Sequence, residues 1–190
     1  MGLAQQQIEY FTYAQYRTWG DEIRYELIDG VAYAMSPAPT RTHQMVVLEL
    51  ARQISTALKG KPCQPFVAPF DVRLPHADEA DDKVDTVVQP DVLVVCDPTK
   101  VDERGVRGAP DWVAEVLSPN TAKKDMTVKL DAYERAGVLE YWLLHPTDRL
   151  VTVYRLVDGG YGRPVISEMK GELPIGVLVD VTIDFTLFPD

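Results

Sequence analysis

Cysteine is scarce: two residues, Cys63 and Cys96, in a chain of 190. That is too few for a disulfide framework, and the pair does not form Cys-x-x-Cys. Cys96 ends an apolar run and reads as a small buried hydrophobe. No stretch approaches the roughly 18 apolar residues of a membrane span. The N-terminal MGLAQQQIEYFTYAQY lacks both the basic and the apolar region of a secretion signal, so a cytoplasmic protein is expected. His43, His76 and His145 have no metal-ligand spacing among themselves. Gly-x-Ser-x-Gly, P-loop and zinc signatures are missing, and Gly159-Gly160-x-Gly162 fits a hairpin turn better than a cofactor loop.

What is present is ordinary for a globular chain: 46% hydrophobic and 25% charged residues, enough for one domain, 1–190, with a sizeable core. The net charge of −10 argues against a general nucleic-acid binder, whose affinity rests on neutralising phosphates. Its distribution softens that objection. Residues 100–135 hold seven basic and seven acidic side chains, so the acidic excess lies elsewhere. Much of it crowds into HADEADDKVD, where Asp78, Glu79, Asp81, Asp82 and Asp85 read as a solvated loop, or alternatively as a dimer or partner contact.

The periodicities predict an α/β chain. Phe11, Tyr13, Tyr16 and Trp19 suggest a short N-terminal helix, and Asp29-Gly30 marks a β-hairpin between RYELI and VAYAM. Residues 41–59 carry Val47, Ala51, Ile54 and Leu58 at helical spacing and stop at Gly60 and Pro62. Phe66, Ala68, Phe70, Val72 and Leu74 share one parity, with prolines that confine them to an edge or bulged strand. VVQPDVLVVCD and DWVAEVLS look like strands buried on both faces. A helix over 121–136 follows, capped by Asn120 or Thr121, striped by Met126, Leu130 and Tyr133, and ended by Gly137. LEYWLLHP, LVTVYRLV and the C-terminal GVLVDVTIDFTLF supply further strands. The expected architecture is a mixed β-sheet flanked by helices.

Chemistry concentrates between Gln89 and Leu144. Asp91 opens one strand after Pro90, and Glu115 stands inside the next. If those strands are adjacent, two carboxylates meet at one sheet edge, a donor set suited to Mg²⁺. Such an ion can activate water for phosphodiester hydrolysis, and a nearby ammonium can orient that water or stabilise developing charge. Lys129 falls at the margin of the helix stripe, from which its head can reach the edge. Lys123 flanks the other side and ranks second, while Lys124 projects away. Each residue has a plainer reading. Lys129 can simply snorkel, Glu115 can sit on an exposed face, and Asp91 can serve a turn. Glu26 is either a further carboxylate or a cross-strand partner for an arginine, and His43 either borders the site or caps its helix.

Pro90-Asp91, Glu115-Val116-Leu117-Ser118, Asp125, Lys129, Tyr133, Ala136-Gly137-Val138 and Glu140–Leu144 resemble the Uma-two family of bacterial restriction endonucleases, within the PD-(D/E)XK nuclease superfamily. Tyr25–Gly30, the 36–39 turn and His43 extend the likeness to about residues 20–157. The resemblance implies a restriction-endonuclease-like fold with Asp91 and Glu115 as metal ligands and the Val116 carbonyl as a third. It also implies Mg²⁺ or Mn²⁺ as cofactor, DNA as substrate and a homodimer. The superfamily's Glu-x-Lys would put lysine at 117, where this chain has Leu117. In the family the lysine comes from the following helix, and Lys129 matches it. His145 replaces an aspartate that relatives often carry, a loop variation. The competing expectation is a nuclease-fold module without catalysis, serving binding or assembly, in line with the −10 charge and the missing Glu-x-Lys lysine. Separately, the acidic surface leaves open an unknown protein partner that supplies DNA binding.

Overall fold

The computed structural model describes residues 9–20, 22–35, 38–119 and 121–188. The expected 36–39 turn and the Asn120 cap fall partly or wholly outside them. In chain order the elements are α1 (Tyr13–Tyr16), β1 (Tyr25–Ile28), β2 (Val31–Ala34), α2 (Arg41–Ala57), β3 (Gln64–Val67), β4 (Val72–Arg73), β5 (Val87–Val88) and β6 (Val92–Val95). They continue with β7 (Val101–Asp102), β8 (Gly105–Arg107), β9 (Trp112–Val116), α3 (Ala122–Asp125), α4 (Val128–Ala136), β10 (Glu140–His145) and β11 (Leu150–Val157). The last are β12 (Gly160–Tyr161), β13 (Val165–Glu168), β14 (Glu172–Pro174) and β15 (Thr182–Asp184).

These strands form two mixed sheets and a small hairpin. The first sheet runs β2-β1-β5-β4-β8-β7, and the second β12-β11-β10-β9-β6-β3 with β13 beside β11. Strands β9 and β10 are parallel, with Glu115 opposite Leu143, while β6 lies antiparallel to β9. Strands β6 and β9 and most of β10 are buried on both faces, as their unbroken apolar runs require. Parity then sorts the side chains. Val92, Val94, Trp112, Ala114, Trp142 and Leu144 face Val46, Leu50 and Ile54 of α2 and the C-terminal segment. Leu93, Val113, Tyr141 and Leu143 face Ala132 and Tyr133 of α4 and the first sheet. Glu115 shares the parity of Val113, so it points toward α4.

Two of the chain's passages between the sheets break an element that the sequence pattern joins. Phe66 and Val72 belong to β3 and β4 in different sheets, separated by a turn containing a cis Ala68–Pro69 peptide. The run VVQPDVLVVCD divides at Gln89-Pro90-Asp91, because proline supplies no ladder donor, into β5 of the first sheet and β6 of the second. Ala68 N donates to the Asp91 carbonyl at 3.2 Å, tying the two crossings together. The 121–136 helix is also broken. Thr127, at φ −130° and ψ −92°, separates α3 from α4, and Met126 is exposed instead of lining a stripe. The expected C-terminal strand is the β14–β15 hairpin followed by a short turn of helix.

Asp29 (φ 49°) and Gly30 (φ 75°) make the left-handed pair that a tight hairpin needs. The acidic run is less solvated than expected. Asp81 accepts a 2.7 Å bond from the fully buried Arg73, whose other arm reaches Asp102 at 2.8 Å, and Asp85 is buried. A buried guanidinium must be paired, and the run supplies one of its partners. The cysteine expectation is corrected as well. The β3–β6 register sets Gln64 opposite Val95, which brings Cys63 against Cys96 one step further on, and the two form a disulfide.

Helix α2 begins at Thr40, whose hydroxyl accepts from His43 N at 3.2 Å. Thr40→Ala is expected to cost about 1 kcal/mol, measured as a shift of the urea midpoint. An unchanged midpoint would show that the cap contributes nothing to stability.

Candidate active site

The crossing at Gln89–Asp91 brings four carboxylates and two ammonium groups together. Asp91 Oδ2 accepts from Val116 N at 2.8 Å and contacts His43 Nε2 at 3.1 Å, while Asp91 N lies 3.3 Å from Glu115 Oε2. Glu115, 3% exposed, accepts from the Tyr133 hydroxyl at 2.9 Å and pairs closely with Lys129. Lys129, 2% exposed, also reaches Glu26 Oε1 at 2.9 Å and Asp125 Oδ1 at 3.7 Å. Glu26 is fully buried, accepts from Gln89 N at 2.9 Å, and pairs a second time with Lys124.

Local sequence explains these placements. Lys129 lies within the buried stripe of α4, one turn before Ala132 and Tyr133, and Asp125 precedes it by four residues across the α3–α4 break. That break also rotates Lys124 inward, whereas a continuous helix would have turned it away. Lys123 stays exposed. Leu117, at the vacant lysine position, packs against the core shared with α4. His145 lies apart from the cluster, 3.2 Å from the Thr152 hydroxyl.

The charges are unbalanced, four carboxylates against two ammonium groups, and protonation reflects it. Burial, reinforced by the charges of Asp125, Asp91 and Glu26, pushes the Glu115 carboxyl well above its ordinary value in spite of Lys129. Burial raises Asp125 too. Burial opposes ionisation of Glu26 as well, yet Lys129 and Lys124 outweigh it and hold that carboxyl down at about 2. For Lys129, burial is overcome by Glu115, Glu26 and Asp125, which raise it far above a free lysine. His43 is raised despite its burial, through its bond to Asp91 and the Val116 carbonyl.

Above the cluster opens a cavity of about 490 Å³, lined among others by Glu26, His43, Asp91, Glu115, Lys124 and Asp125. Hard divalent cations take oxygen donors and favour an excess of negative charge. This donor set fits such an ion, since Asp91 Oδ1 makes no hydrogen bond among the described residues and the four carboxylates of the cluster outnumber its two ammonium groups. A second carboxylate–histidine group, Asp29, His76 and Asp85, brings its ligand atoms within 4.8 Å of one another. It lines no part of this cavity, and its members already serve Arg135, Tyr10 and Thr86.

A carboxylate at the entry to β6 and another on β9, met by a lysine from the following helix, form the site on a mixed α/β fold. A family model described as "Putative restriction endonuclease", Uma2, matches residues 10–186, and the chain belongs to that family. Among solved structures, the chain is similar to a putative nuclease belonging to DUF820 from Anabaena variabilis ATCC 29413, with TM-score 0.70 and 20% identity over 90% of this chain and 92% of that one. No curated protein matches the chain. No helix among the described residues is long and apolar enough to cross a membrane.

Sequence reasoning brought Asp91, Glu115 and Lys129 to one place, and the structure joins them. It missed Lys124 and left Glu26 and His43 open. The usable signal for Glu26 was a carboxylate inside the apolar Tyr-Glu-Leu-Ile, a position that requires a buried partner.

Proposed function

We propose that the protein is a divalent-metal-dependent endonuclease that hydrolyses phosphodiester bonds in DNA. The observation that carries this reading is a buried cluster of four carboxylates and two lysines opening into a cavity. Asp91 and Glu115, with the carbonyl of Val116, are the groups that would hold Mg²⁺ or Mn²⁺. Bound there, the cation supplies Lewis-acid charge and an activated water. The chain's own residues do the rest. Val116 N and His43 fix the Asp91 carboxylate, and Tyr133 and Lys129 fix Glu115. Lys129, surrounded by carboxylates, stays protonated, so it orients the attacking water and offsets charge on the phosphate instead of taking a proton. Lys124, closer to solvent, is placed to meet the phosphate itself. Lys129 turned to the carboxylates that line the cavity, and not to solvent, favours the enzyme over a non-catalytic module.

The test is cleavage of plasmid DNA by wild type and by Asp91→Ala. Cutting is expected with Mg²⁺ or Mn²⁺ and should stop on adding EDTA or in the variant. Metal-independent cutting, or a variant as active as wild type, overturns the reading. Double-strand cutting further calls for a homodimer, which sedimentation of the full chain would detect.

A further inference from the structure

A second cavity, of about 630 Å³, adjoins the carboxylate cleft and shares Arg24, Pro69 and Gln89 with it. One side is aromatic. Trp19 stands with its ring centre 5.4 Å from that of Tyr16 and 5.3 Å from that of Tyr25, and all three line the cavity. Arg17, Arg24 and Arg104 also line it, together with Asp71. Arg17 pairs with Asp82 at 3.2 Å and Arg104 lies 3.9 Å from Asp81, which leaves Arg24 as the guanidinium available to a ligand. Three guanidinium groups in one cavity are notable on a chain of net charge −10. Arg24 is exposed and has no ion-pair partner among the described residues. Between the two cavities sits Gln89, 9% exposed. Its amide nitrogen donates to Asp71 at 2.8 Å and to the Tyr16 hydroxyl at 3.2 Å. Its amide oxygen is buried and has no hydrogen-bond partner among the described residues. A buried acceptor left unmatched calls for a donor.

We propose that this cavity seats an unpaired base of the strand whose phosphate occupies the carboxylate cleft, an inference that rests on the nuclease reading. Every base offers a π-face to stack on an aromatic wall, and guanidinium groups pack well over such rings. A base N–H satisfies the Gln89 oxygen, and stacking on the aromatic wall needs a base face that has left its own stack, so the base must be single-stranded or turned out of its duplex. Arg24, common to both cavities, neutralises the phosphate that links them. The substrate class is therefore nucleic acid with an unpaired nucleotide beside the scissile phosphate, a feature of displaced strands, junctions and mismatches. It also explains how an acidic protein engages DNA: contacts are confined to the cleft and the aromatic recess beside it.

Trp112 and Trp142 are fully buried, whereas Trp19 is partly exposed, so quenching of tryptophan emission reports on this cavity. The full chain, held in EDTA to prevent cutting, is titrated with a short oligothymidine, with a duplex of ordinary sequence, and with an abasic strand of equal length. Oligothymidine is expected to quench and to bind about tenfold or more tightly than the other two. Arg24→Ala should weaken binding several-fold, and Trp19→Phe should remove the quench while leaving the fold intact. Equal affinity for the abasic strand overturns the proposal. So does quenching that follows protein concentration alone, which would place a second copy of the chain in the cavity. Asp91-dependent plasmid cleavage without any quench removes the base cradle and leaves the nuclease reading. Quenching without cleavage does the reverse.

Discussion

Replacing Lys129 by alanine is expected to cut cleavage by about 10²–10³-fold and to lower stability by about 3–5 kcal/mol. Both effects have one origin. The ammonium is buried, and it pairs with Glu115 and Glu26 while Asp125 lies 3.7 Å away. Without it, three carboxyl groups share a space with little water and only Lys124 for compensation. Domains of this kind carry roughly 5–15 kcal/mol in total, so activity must be measured per folded molecule alongside a urea titration. Lys129→Met keeps the length of the stem and separates packing from charge. Pairing it with Glu115→Gln removes an orphaned charge, so the double variant should be less destabilised than the sum of the singles, by about 0.5–3 kcal/mol. Full cleavage by Lys129→Met would remove the ammonium from the mechanism.

Trp142→Ala is the second large change, expected to cost about 3–5 kcal/mol. The indole is fully buried and packs edge-on against Trp112, with ring centres 5.6 Å apart. Its Nε1 donates to Glu140 Oε1 at 2.5 Å. That carboxylate is also buried and is met by Arg155 at 2.9 Å and Gly176 N at 3.2 Å. Truncation leaves a gap beneath α2 and takes one donor from an interior anion. Trp142→Phe fills much of the gap but restores no donor, so it should fall between wild type and alanine. A urea-derived loss below about 1 kcal/mol for the alanine variant would mean that the face collapses around the gap.

The parts of the fold legible in the sequence are those set by short-range chemistry. The Asp29-Gly30 turn, the Gly137 stop at φ 91°, and the buried runs of β6 and β9 each follow from a handful of neighbouring residues. Strand parity even turns Glu115 toward α4. What stayed hidden depends on long-range pairing. The proline-interrupted segments read as continuous because parity continues across residues 66–74 and 87–95 although the strands change sheets. The Cys63–Cys96 disulfide needs the β3–β6 register, which no local pattern encodes. The same holds at the site. Lys129 was reachable from a helix stripe, whereas Lys124 depended on a break at Thr127 that nothing in the helical spacing announces. Glu26 sits on the first sheet, about ninety residues before Glu115, and only the docking of the two sheets makes them neighbours.

The chain crosses from one sheet to the other at Gln89–Asp91, so the proposed activity depends on the docked pair. Glu26 belongs to the first sheet, Glu115 to the second, and Asp91 to the join. A perturbation that frees only the β1–β2 hairpin withdraws Glu26 and strips Lys124 of its partner, while the second sheet keeps its hydrogen-bonded core. Local opening of this kind lies below global unfolding in free energy. Inactivation by mild denaturant should therefore run ahead of the loss of circular dichroism, and a preparation with a native spectrum can be enzymatically silent.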